Sequence, residues 1–142
     1  MRNAAVERAL EARLTAVSPG AAIASTLIAG ENSLFDPSSL PQWYRGTHIP
    51  GDSMASEIGS TAQNQTIGIF QVDIFDQKGN GKAWAKGEAD RVAECYKRGT
   101  VLTDTTTGQT LLINSASPGP GDEEDEYYRV PVKIEWIAYM AN

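Results

Sequence analysis

Gly68 to Gly99 reads GIFQVDIFDQKGNGKAWAKGEADRVAECYKRG, and its periodicity changes halfway along. Phe70, Val72 and Ile74 fall on one side of an extended chain and Gln71 and Asp73 on the other, so the period of two predicts a strand with one face on a core. Asp76 to Gly81 is a cluster of turn formers, in which the glycines and Asn80 accept positive φ. Beyond it Ala85, Ala89, Val92, Ala93 and Tyr96 make a single helical stripe. Lys97 and Arg98 suit the negative end of the helix dipole, and Gly99 stands where a C′ residue is needed. Gly87, inside the helix, costs about 1 kcal/mol relative to alanine unless it allows a close approach. A strand, a glycine turn and a helix with no catalytic constellation point to an α+β building block rather than to an enzyme.

The flanks extend this unit. Val6, Leu10, Leu14 and Val17 repeat as an amphipathic helix over Asn3 to Val17, with Asn3 as N-cap and Pro19-Gly20 as stop. Ala21 to Ala29 reads either as a short second helix or as the lead-in to a strand. Residues 30–41 are rich in turn formers. Gln42 to Ile49 alternates as a strand that Pro50-Gly51-Asp52 ends. Residues 51–65 show no periodicity and read as a long loop, a kind of segment that is commonly functional. Val101 to Thr103 and Gln109 to Ser115 form a hairpin around Thr107-Gly108. Ser117 to Glu126 reads as a loop. In the last strand Tyr128, Val130, Val132, Ile134, Trp136 and Ala138 share a face, and Pro131, which lacks an N–H, argues for an edge there or for an unpaired position. The expected architecture is one α+β domain over residues 1–142, with a mostly antiparallel four- to five-stranded sheet and two main helices packed on one face.

Bulk properties exclude several function classes. A chain of 142 residues with 41% hydrophobic and 21% charged residues can bury a core without disulfide or metal staples. Cys95 is the lone cysteine and reads as a reduced structural thiol, which suits a reducing cytoplasm. The net charge of −6 and the twelve scattered basic residues argue against a nucleic-acid binder. Met1 to Val17 mixes three arginines with two glutamates and does not read as a secretory signal. The longest apolar-leaning run, Ala21 to Ala29, falls far short of the ~18 residues that a membrane span needs.

Chemistry-bearing residues are sparse. His48 is the only histidine and has no partners at metal-ligand spacing, so it reads as a polar strand residue. Lys78 to Lys82 lacks the full phosphate-cradle pattern and reads as a strand-to-helix turn. The acidic run Asp122, Glu123, Glu124, Asp125 and Glu126 lacks the spaced ligands of a calcium loop. It reads as a solvated loop, as an acidic patch facing a pore or a partner, or as a cation site. No catalytic residue, metal or cofactor is expected.

Four stretches carry a resemblance to a known family. Ile28 to Pro37 resembles an A-x-E-N-x-x-F-x-P stretch, Thr66 to Phe75 a G-x-F-Q-V-x-x-F strand, and Tyr127 to Tyr139 a closing Y-x-V-P-V-x-I-x-Y strand, with Trp136 in place of a tyrosine. An N-terminal helix precedes them. In this order they resemble the tail terminator, or tail completion, proteins of tailed phages; Pro50 to Asn64 matches none of the family's pattern. The resemblance implies a structural virion protein of the tail, assembled in the host cytoplasm. It implies a ring of six copies that caps the tail tube, ends its growth and presents the head-joining surface. The implied partners are other copies of the chain, the tail tube protein and a head–tail connector protein, with no specific nucleic-acid binding and no membrane. Asp52, Met54, Glu57 and Ile58 are the candidate tube or subunit contacts, and the acidic run is the candidate pore-facing patch. The alternatives are a head–tail joining protein, or a monomeric protein-binding module built on the same domain.

Overall fold

The computed structural model describes residues 2–17, 20–31, 34–55 and 63–141. The run around Phe70 lies in β3 (Gln63–Gln77), which pairs antiparallel with β7 (Tyr127–Ala141) along its whole length without a register shift. Phe70 faces Ile134, Val72 faces Val132 and Ile74 faces Val130, and all six are buried. β2 (Gln42–Ala55) flanks β3, and β1 (Ile28–Ala29) runs parallel to β2 beside Tyr44 and Arg45. Across β7 come β5 (Thr110–Pro118) and then β4 (Val101–Thr103), while β6 (Asp122–Glu124) pairs with the start of β7. The order is β1-β2-β3-β7-β5-β4, with β6 on β7.

The sheet thus has seven strands, not four to five, and is mixed, because β1 runs parallel to β2 while every other pairing is antiparallel; the α+β class stands. The extra strands, β1 and β6, have two and three residues. Strands that short display no alternation of their own and form because β2 and β7 offer pairing partners. The expected loop at 51–65 also shrinks. Residues 51–55 and 63–65 are strand, and 56–62 lie outside the described residues. A bulge between Pro50 and Ser53 lets β2 continue past the proline. Gly51 suits the bulge because a Cβ there would lie 1.9 Å from the Ile67 carbonyl oxygen.

Pro131 lies inside a central strand rather than at an edge, and of the two expectations the unpaired position holds. Its carbonyl accepts the Gly119 N–H at 2.7 Å. The N and C=O of a strand residue point the same way, so the missing N–H faces residues 119–121, between the end of β5 and the start of β6.

Helices α1 (Arg2–Thr15) and α2 (Ala83–Cys95) cover the face formed by Phe70, Val72 and Ile74. Val6, Leu10 and Leu14 of α1 are buried as the stripe predicts, whereas Val17 lies past the helix end and is 84% exposed. Ala85, Ala89 and Val92 of α2 and the following Tyr96 are fully buried. The Tyr96 hydroxyl donates to the Leu10 carbonyl, and Arg13 Nε donates to the Cys95 carbonyl at 3.1 Å, so each helix satisfies a group of the other. α2 ends at Cys95 with Tyr96 as its C-cap, so Gly99, at φ +89, makes the turn into β4 and is not the helix's C′ residue, and Lys97 and Arg98 lie beyond the last turn. Arg8 of α1 forks onto Asp104, just after β4, at 3.2 and 2.9 Å, and Thr107 adds its hydroxyl and N–H to the same carboxylate at 2.7 and 3.1 Å.

The opposite face is buried at one end only. Trp43 stacks on Phe75 at 3.9 Å between ring centroids, Phe35 leans on Trp43 at 5.3 Å, and Tyr127 meets Trp43 edge-on. The Tyr127 hydroxyl sits 2.8 Å from the Pro37 carbonyl and 3.0 Å from that of Leu40, which fastens residues 35–40 over the cluster. Beside it Asp73, 1% exposed, accepts Nε and Nη2 of Arg45 at 3.1 and 2.9 Å and Nε2 of Gln71 at 2.9 Å, with Arg129 Nη1 at 3.5 Å. Arg129 forks onto Asp122 at 3.0 and 2.9 Å, and Arg45 reaches Glu124 at 3.0 Å. Three carboxylates and two guanidiniums thus neutralise most of each other's charge, which is what a buried ion cluster requires. Hydrogen bonds from Arg129 hold the Asp122 carboxyl below its ordinary range.

Four outcomes follow from this packing. In Gly68→Ala the new Cβ would sit 2.4 Å from the buried Trp136 ring, so the urea midpoint falls by the equivalent of about 1–3 kcal/mol. Gly87→Ala meets nothing within 4 Å and raises the midpoint by about 0.5–1 kcal/mol. Asp73→Ala leaves Arg45 and Arg129 without their shared anion and costs about 3–5 kcal/mol, toward the lower figure because both guanidiniums keep some solvent. The fourth outcome is a pH dependence. Arg8 and then Thr107 hold the Asp104 carboxyl well below the usual aspartate value of about 3.9. A depressed folded-state pKa means that the unfolded chain takes the proton more readily. The contribution is therefore complete above that ordinary value and disappears as pH falls toward the folded one. Urea titrations of the parent and Asp104→Asn should differ at neutral pH and converge on acidification; a gap that persists unchanged in acid would refute this role.

Candidate functional site

The helix-free face of the sheet is uncovered at the end away from Trp43. The register aligns Val101 of β4, Leu112 of β5, Ile137 of β7 and Ile67 of β3 into one row across four strands. Val101, Leu112 and Ile67 are 62%, 44% and 42% exposed. In the next row Ile49 of β2 lies opposite Ile69, and on the far side of the ladder Tyr139 lies opposite Gln65. Ile49, Pro50, Gly51, Ile67, Gly68, Ile69 and Glu135 border an open groove of about 370 Å³. An alternating strand of a monomer places polar residues on its solvent face. Here the alternation gives way to isoleucine, leucine and valine, and a contiguous apolar patch of this kind marks an interaction surface.

Charge on this part of the face is slight and balanced. Lys133 Nζ lies 3.4 Å from Glu135 Oε1, and Ser115 donates to Glu135 Oε2 at 3.0 Å. Ser115 and then Lys133 keep the Glu135 carboxyl below its ordinary range. Farther along, Gln71 and Lys133 form a polar row that separates the apolar ladder from the covered Asp73 cluster.

The residues singled out from sequence separate into distinct regions. Met54 pairs with Gln65, one row beyond Ile67, so its backbone extends the ladder, and Asp52 lies in the bulge of β2. Glu57 and Ile58 lie outside the described residues. Asp122, Glu123 and Glu124 form β6 and not a loop. Asp122 meets Arg129, Glu123 meets Lys78 at 3.4 Å, and Glu124 meets Arg45. Asp125 takes φ +53 in the turn, and it and Glu126 have no ion pair among the described residues. The structure therefore does not bring the two candidate groups together.

His48 stacks on Phe70 at 4.5 Å, with Glu11 3.6 Å from Nε2. Among the described residues no group of three or more His, Cys, Asp or Glu side chains could hold a metal ion. No helix among them is long and apolar enough to cross a membrane. The sequence reading missed the apolar ladder and the Asp73 cluster. Adjacent large apolar residues at Trp43-Tyr44 and Ile74-Phe75 were the available signal, since they mark strands buried on both faces. Nothing local marked the ladder, which spreads over four strands.

Comparison with known proteins supplies the family. No curated protein matches the chain. A solved structure superposes on all of this chain and 96% of its own with a TM-score of 0.71 at 20% identity, which shows a shared fold. A family model described as phage tail terminator protein matches residues 5–136. That span takes in most of α1, Ile28 to Pro37, the whole of β3 and α2, and most of β7, and so the stretches that carry the resemblance. The chain belongs to the family of phage tail terminator proteins.

Proposed function

We propose that this chain forms a closed ring on the end of the phage tail tube, stops tube polymerisation there and presents the surface to which the head joins. The observation that carries this reading is the family match over residues 5–136. The uncovered apolar ladder supports it, because a subunit that works by surface complementarity needs a face that its own chain leaves open. The mechanism makes no bond. A ring seated on the last tube ring repeats the tube's contacts on one side and lacks them on the other, so no further tube subunit can add. A head-to-tail contact that closes on itself also fixes the copy number, here six in the ring that we propose.

The partners in this reading are other copies of the chain, the tail tube protein and a head–tail connector protein. Asp52 and Met54, near the end of β2, and Glu57 and Ile58, between β2 and β3 in the sequence, are the proposed tube or subunit contacts. Asp125 and Glu126, at the exposed turn after β6, are the acidic groups left to face the pore or the connector. Tail tube protein polymerised with increasing amounts of this chain should give progressively shorter tubes, each with extra density at one end in electron micrographs. Tubes of unchanged length with bare ends would sink the proposal.

A further inference from the structure

We infer that the uncovered apolar ladder of the sheet is the surface on which a second copy of this chain seats, an inference that rests on the ring reading and names the contact that closes it. Three observations select both the surface and its occupant.

The first is that half of this face is already covered. Residues 35–40 cover Trp43, Phe75 and Tyr127, and Arg45 and Arg129 neutralise Asp73 beneath them. The chain supplies no such cover, among the described residues, for Ile49, Ile67, Val101 or Leu112. The same sheet surface is thus finished intramolecularly at one end and left open at the other.

The second observation concerns the sheet edges. β4, at one edge, has three residues. At the other edge β1 pairs with β2 only at Tyr44 and Arg45. Beyond them the Glu31 carboxylate accepts the His48 N–H at 2.8 Å, Pro50 has no N–H to give, and the bulge between Pro50 and Ser53 interrupts the ladder of donors. A short edge strand, a carboxylate on the edge, a proline and a bulge are all devices against strand addition. A neighbour is therefore directed away from the edges, which leaves the face.

The third observation is charge. The chain carries a net charge of −6, so two copies repel over most of their surfaces. The ladder is the region where this repulsion is absent. Its flanking charges, Lys133 and Glu135, balance each other at 3.4 Å, and they offer an approaching copy one cation and one anion. A polyanion finds no cationic patch here, and a strongly basic partner would be drawn to the acidic remainder of the molecule. An apolar centre with a balanced polar border is the composition of a protein–protein contact, for which a standard size is about 800 Å² per partner.

The test uses the full chain, alone across a concentration series and together with tubes polymerised from tail tube protein, with mass photometry and electron microscopy as readouts. The variant is Ile67→Glu with Leu112→Glu. We expect the parent to associate, and the variant to keep the parent's urea midpoint while its association weakens by tenfold or more. A variant that associates like the parent overturns the inference. If the double glutamate variant unfolds, Ile67→Ser with Leu112→Ser decides: lost association supports the inference and retained association overturns it. A variant that forms parent-like oligomers yet fails to cap tubes also overturns it, and assigns the ladder to the tube. A parent that caps tubes as single copies overturns the inference and the ring but leaves tube capping intact. A parent whose oligomers depend on the ladder but do not stop tube growth overturns the capping function alone. A parent that neither associates nor caps tubes overturns both.

Discussion

The pairing of β3 with β7 sets nearly everything else in this molecule. It runs for fifteen residues of each strand with no shift in register. Side chains alternate strictly along both strands, so a slip of one residue would carry Val72 and Ile134 to solvent and bring Asp73 and Lys133 under the helices. The apolar residues on the helix side make such a slip very costly. The same register then builds the other face without further choice. It sets Asp73 where Arg45 and Arg129 can both reach it, and it lines up Ile67 with Ile137 and Leu112.

The two halves of that second face divide the work between stability and contact. At the β6 end the chain buries charge and aromatic rings together. Such an arrangement is stable only if every carboxylate finds a donor, and Asp73, Asp122 and Glu124 do. This changes the meaning of the acidic run. Three of its five carboxylates pair with Arg129, Lys78 and Arg45, so the run is tied into the charge network of the sheet, while the Asp122 and Glu123 side chains stay 54% and 71% exposed. At the other end the face has neither ions nor cover. Membership of a family of tail proteins whose work is assembly gives that exposed surface a natural use.

The sheet edges carry protection of their own. An exposed sheet edge is an open-ended template for further strands. An unprotected edge strand would let copies add without limit, because main-chain pairing is indifferent to side chains. The Glu31 carboxylate at His48, Pro50 and the neighbouring bulge remove that route from β2. Contact through a shaped, side-chain-lined face is by comparison specific to one partner and one geometry.

The sequence by itself determined the elements whose apolar pattern is local and long. The stripes of α1 and α2, the alternation in β3 and β7 and the hairpin of β4 and β5 are all legible, because periods of 3.6 and 2 need only neighbouring residues to show themselves. The likeness to tail terminators rested on the same long elements. Tertiary structure alone decided what depends on partners distant in the chain. β1 and β6 exist because β2 and β7 offer them free donors and acceptors. Pro131 is tolerated in a central strand because its missing N–H falls where β5 has ended and β6 has not begun. The Asp73 cluster joins residues of β2, β3, β6 and β7, and the apolar ladder takes single residues from β4, β5, β7 and β3. No window of sequence contains either group, since each element contributes only one or two side chains and only the register brings them into line.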